Sequence, residues 1–170
     1  MVKFIDIFEL SQHLKNELPK DYLPPAEGTN ALTEMVIANS FFKNTRGYIE
    51  KVVNQINGCY EKGWFDSCAV MMRRLLETLI IEVFESYKID SKIKNGNGDF
   101  LYLSDLVSAL QSETSWNLGR NTKKVLPALK AIGDYSAHSR RYVAHRKDID
   151  DVKNDFRLVT QELVFLAKLK

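Results

Sequence analysis

With 170 residues, 45% of them apolar and 27% charged, the chain suits one domain that buries its own core without disulfides or metals. Its longest uncharged stretches, near 35–42 and 52–60, fall far short of the ~20 apolar residues that cross a bilayer. Asp6 and Glu9 interrupt any signal-peptide core, so a soluble, cytoplasmic protein with no membrane partner is expected.

The net charge of +2 hides an asymmetry. Residues 120–147 hold eight cations against Asp134 alone, a local +7, which leaves −5 for the rest of the chain. Cys59 and Cys68 lack metal-ligand spacing, and the histidines are His13, His138 and His145 only. The cysteines read as free, small hydrophobes, and no metal or cofactor is expected.

Residues 4–18 carry Phe4, Ile7, Phe8, Leu14 and Leu18 near one helical face, and Pro19 ends that helix. A linker with Pro24, Pro25 and Gly28 follows. Residues 1–39 are therefore read as an N-terminal helix and linker, with residues 1–30 a candidate docking segment for a protein partner. The main domain is 40–170. A helix from 29–33 to about Asn44 comes next. The spacing of Tyr48, Val52, Ile56 and Tyr60 then predicts a helix over 46–60, stopped at Lys62-Gly63.

The strongest element is 64–87, whose broad apolar stripe includes Cys68, Met72, Leu75, Leu76, Leu79, Ile80 and Val83. The short break before it makes this helix fold back antiparallel or bend sharply. Asn95-Gly96-Asn97-Gly98 marks a loop, and 101–110 reads as a helix. Residues 113–121 read as a polar loop containing Trp116. Thr122 is placed as the cap of a helix over 123–135, with Pro127 in its first turns. Residues 136–147 have no clear pattern. Asp148 is placed as the cap of the last helix, lined by Val152, Phe156, Val159 and Leu163. No alternating strand pattern occurs, and the fold class is all-α.

Three polar features interrupt this background. Arg73, Arg74 and Glu77 lie in the most apolar helix. Arg73 and Glu77, four apart, either form an ion pair bracing the core or leave an arginine facing an anion groove. Asp134 and His138, also four apart, place a carboxylate within reach of an imidazole if the segment is helical. Arg140, Arg141, His145, Arg146 and Lys147, with Tyr142 between, suit phosphate contacts and base stacking, as do Lys123 and Lys124. On a helix Arg141 and His145 would share a face, whereas Arg140 and His145 meet only on an irregular backbone. Phosphate loops, nucleophile elbows, zinc helices and dinucleotide fingerprints are absent from the sequence.

The run from Ile56 through Gly63-Trp64-Phe65 into Arg73-Arg74-Leu75-Leu76-Glu77, with Ile132-Gly133-Asp134-Tyr135-Ser136-Ala137-His138 and a capped last helix, resembles the HEPN superfamily. It is most similar to a bacterial branch of unknown function with an Arg-x-x-Leu-Glu helix and a Gly-Asn/Asp-x-x-Ala-His turn. The resemblance covers residues 40–170. It implies a helical bundle around two long antiparallel helices, a homodimer, and a setting in phage defence or toxin–antitoxin systems. Many such proteins are metal-independent ribonucleases, in which a histidine activates the ribose 2′-hydroxyl and an arginine stabilises phosphate charge.

Matching His138 to the family histidine puts Gly133 where the arginine stands and keeps Asp134 as the polar residue. The expectation is a non-catalytic binding or regulatory module that holds RNA or a nucleotide through residues 120–147. The alternative is a ribonuclease using His138 or His145 with Arg140 or Arg141.

Overall fold

The computed structural model describes residues 36–170. The chain divides into two units, Met1–Asn30 and Ala31–Lys170. The expected helix over 4–18, its linker and the docking role of residues 1–30 lie outside the described residues. Six α-helices are present among them: α1 (Asn39–Phe42), α2 (Gly47–Glu61), α3 (Phe65–Ser86), α4 (Leu103–Ser112), α5 (Arg120–His138) and α6 (Arg146–Leu166), with a 3-10 turn at Asp90–Ile93. The only extended pairing among the described residues is an isolated bridge between Lys94 and Phe100. The all-α expectation holds, and no described helix is long and apolar enough to cross a membrane.

The apolar stripe of α3 is buried from Cys68 to Phe84, and the helix packs against α2, α4, α5 and α6. A helix apolar over most of its circumference has to be surrounded. Gly63, at φ +76, ends α2 in the left-handed conformation. The Trp64 N–H reaches back to the Cys59 carbonyl at 2.8 Å and the Gly63 N–H to Tyr60. This Schellman closure reverses the chain in three residues, so α3 runs back along α2.

Several boundaries differ from expectation. Residues 36–38 are not helical, and among the described residues the helix before Asn44 is the single turn of α1, the 29–35 part of that expectation lying outside them. Helix α5 begins at Arg120, so Thr122 is inside it and does not cap it. Its hydroxyl and the Gly119 N–H (2.5 Å) both donate to Glu162 of α6, whose carboxylate serves the orphan N–H end of α5. Pro127 is the eighth residue of α5 and cannot donate to the Lys123 carbonyl. Gln111 of α4 donates to that carbonyl instead, at 2.8 Å.

Asp148 is the third residue of α6, not its cap. It accepts the N–H of His145, the true cap position, at 2.7 Å. Trp116 is buried in its loop, edge-on to Phe84 and Tyr87, with its indole N–H donated to the Leu110 carbonyl.

Candidate functional site

Side chains four apart on a helix share a face, and Arg73 and Glu77 on α3 do form the expected pair, at 3.4 Å. That pair is one part of a larger arrangement. Gly133 of α5 lies against the stem of Arg73: a Cβ there would come within 2.5 Å of Arg73 Cβ. This close approach carries the guanidinium past α5 to Asp134, with Arg73 Nε 2.8 Å from Oδ1. Lys130, one turn earlier on α5, holds the other oxygen of the same carboxylate.

These groups line an open cleft of about 580 Å³. Helix α3 contributes Arg73, the start of α4 contributes Tyr102 and Ser104, and α5 contributes Lys130, Asp134, Tyr135 and His138. Partial burial of Asp134 acts to raise its pKa, but hydrogen bonds from Lys130 and Arg73 outweigh it and hold the carboxyl below its ordinary value. Both Asp134 oxygens are engaged by cations, so the carboxylate does not hold His138 as the spacing suggested. The imidazole is exposed at the last residue of α5 and lines the cleft.

The basic stretch 120–147 does not form one patch. Lys123 and Lys124 are exposed on the first turns of α5, roughly 20 Å from His138 at 1.5 Å per residue. Arg140 and Arg141 are exposed in the loop just after the cleft. Residues 139–145 are not helical, so Arg141 and His145 share no helix face. Asp66 of α3 anchors this loop by accepting the Ala144 N–H at 3.0 Å. His145 does not line the cleft. Arg146 stacks over Tyr60 and Phe65, 4.8 and 5.3 Å from the ring centroids, and Lys147 pairs with Asp151. Arg74 is exposed on α3 outside the cleft lining.

Lys130, Tyr102 and Tyr135 were not singled out in the sequence. The spacing of Lys130 and Asp134 was a usable signal. Tyr102 had none, because only the packing of α4 brings it to the site. A second missed cluster is Glu82, buried on α3, which accepts from Arg46 Nε at 2.9 Å and from the Tyr48 hydroxyl.

Four carboxylates are held below their ordinary pKa by hydrogen bonds from their neighbours: Asp90 from Lys94, Glu113 from Lys92 and Ser115, down to about 2, Asp150 from Lys153 and Tyr60, and Asp134 as above. A depressed folded-state pKa contributes stability above the unfolded value that is lost as pH falls through the folded one. Melting temperature is therefore expected to fall below the unfolded Asp value of 3.8, and the Asp134→Asn variant to show a shallower fall. Thermal melts from roughly pH 5 to pH 2 check both. Equal slopes would mean that Asp134 gains nothing from its cations.

Comparison with protein-family models, with curated proteins and with solved structures finds no match for the chain.

Proposed function

We propose that residues 40–170 are a HEPN-like, dimeric, non-catalytic module that binds RNA at the Arg73–Asp134 cleft. The observation that carries the reading is the convergence of Arg73 and Lys130, from two different helices, in an open cleft lined by His138 and followed by exposed Arg140 and Arg141. Cations on a concave surface attract phosphates, and Arg presents a fork that matches phosphate oxygens. The order of the two motifs, one on α3 and one on α5, supports the HEPN assignment.

The absence of catalysis follows from where the cations are committed. Gly133 leaves no cation on α5 at the family's arginine position. Arg73 enters the cleft from the other helix, but its charge is already offset by Asp134 and Glu77. Developing phosphate charge would meet a guanidinium already balanced by two carboxylates, which weakens the stabilisation such catalysis depends on.

Purified protein is expected to leave mixed single-stranded RNA and tRNA intact in EDTA on a denaturing gel, and to shift both on a native gel at low salt. Arg140→Ala with Arg141→Ala should reduce the slope of log affinity against log salt by about 1.4, at ~0.7 per phosphate contact on a single strand. Cleavage that disappears in His138→Ala or His145→Ala would replace this reading with the metal-independent ribonuclease. Absence of any shift at low salt would remove both.

A further inference from the structure

The RNA reading leaves the aromatic residues of the cleft unexplained. Tyr102 is 82% exposed and Tyr135 is 57% exposed, and both residues line the same cleft as Arg73 and Lys130. Neither ring contributes to the core. The backbone of Tyr102 is fixed, because its carbonyl accepts the N–H groups of Asp105 and Leu106 at 2.9 and 3.0 Å as α4 begins. Tyr135 stands on the last turn of α5, and its ring leans on Tyr142 with centroids 5.8 Å apart. Two large aromatic side chains are thus exposed beside Arg73 and Lys130, the two cations that share Asp134.

From this we infer that the cleft takes single-stranded RNA, with an unstacked base lying on Tyr102 or Tyr135 while the adjoining phosphate meets Lys130 and Arg73. The inference rests on the RNA-binding reading and adds the class of RNA. A duplex turns its base faces inward and offers this cleft only phosphates and sugar edges. A single strand offers phosphates and free π-faces together, and stacking on an aromatic side chain is tolerant of sequence. The site therefore selects strandedness and is indifferent to base identity.

The test measures fluorescence anisotropy of one labelled RNA oligonucleotide at low salt, alone and annealed to its complement, with the wild type, Tyr102→Ala, Tyr135→Ala and the two Phe variants. Melting curves accompany each, and the exposed positions should leave them unchanged. The single strand is expected to bind the wild type about tenfold tighter than the duplex, and at least one Ala variant to lose about that factor for the single strand only. The Phe variants keep it. A 2-aminopurine base in the strand should be quenched on binding to the wild type and less so with the sensitive Ala variant. Equal affinity for both forms, with no effect of either tyrosine, overturns the stacking inference while leaving RNA binding in place. Failure to bind either form overturns the inference together with the reading beneath it.

Discussion

Gly133→Ala is expected to lower the melting temperature by roughly 6–12 °C, the reverse of what a glycine inside a helix normally does. Replacing such a glycine by alanine usually stabilises by about 0.5–1 kcal/mol, because glycine loses more backbone freedom on folding. Gly58, inside α2, follows that rule: a Cβ there has no neighbour within 4 Å. Gly133 does not, because its Cβ would stand 2.5 Å from Cβ and 3.0 Å from Cδ of Arg73. The first of these atoms belongs to the base of the side chain and cannot swing away. Helices α3 and α5 must separate, at a cost of about 3 kcal/mol, or ~2–4 °C per kcal/mol in a chain of this size. Gly58→Ala, melted beside it, should gain a degree or two. A Gly133→Ala variant as stable as wild type would mean the crossing has slack.

The same contact bears on the missing family arginine. Gly133→Arg cannot restore a cation at that position without forcing the helices apart and breaking the 2.8 Å bond between Arg73 and Asp134. The guanidinium beside Asp134 here comes from α3, and the glycine is what lets it arrive.

How far such features can be read from the chain depends on the range of the interaction that makes them. The apolar stripe of α3 and the Arg73–Glu77 pair depend on spacing along one helix, and both were legible. The reversal at Gly63 was also local. The cap of α5 was misplaced at Thr122 because the carboxylate that serves it, Glu162, lies forty residues away on another helix. Pro127 suggested a helix start for the same reason: the compensating donor, Gln111, belongs to α4. At the site, Asp134 was found but given to His138 by its i,i+4 spacing. Lys130 claims one oxygen by the same i,i+4 spacing, and Arg73 claims the other through a helix crossing that only Gly133, placed where an arginine was expected, could have signalled. Trp116 looked like part of a polar loop, and its burial depends on Phe84 and Tyr87, some thirty residues earlier.

The second large effect is expected at Asn57, a fully buried amide on α2. Its Oδ1 accepts the N–H groups of Val36 and Ile37, both at 3.1 Å. Its Nδ2 donates to the Ile37 carbonyl at 2.8 Å and to Asn39 Oδ1 at 2.9 Å. One side chain thus satisfies a non-helical segment that has no backbone partners of its own on α2. Asn57→Ala leaves two alternatives. If Val36 and Ile37 stay in place, their N–H groups and a carbonyl lose their partners, at about 1–3 kcal/mol each before any water enters. If the segment lifts off, two core side chains, 0% and 2% exposed, go to solvent at about 1.5–3 kcal/mol each. Both routes cost at least about 3 kcal/mol, so releasing the segment offers no escape. Denaturant melts should show that loss, and hydrogen exchange at the Val36 and Ile37 amides decides the route: near-complete loss of protection means release, retained protection means strain in place. None of the partners of Asn57 lines the Arg73–Asp134 cleft, so RNA affinity of the variant, measured well below its melting temperature, should match wild type. A loss below about 1 kcal/mol would show that water replaces the amide without penalty, and that the Val36–Asn39 segment is held by its apolar side chains and by Arg157, whose Nε donates to the Val36 carbonyl at 2.7 Å.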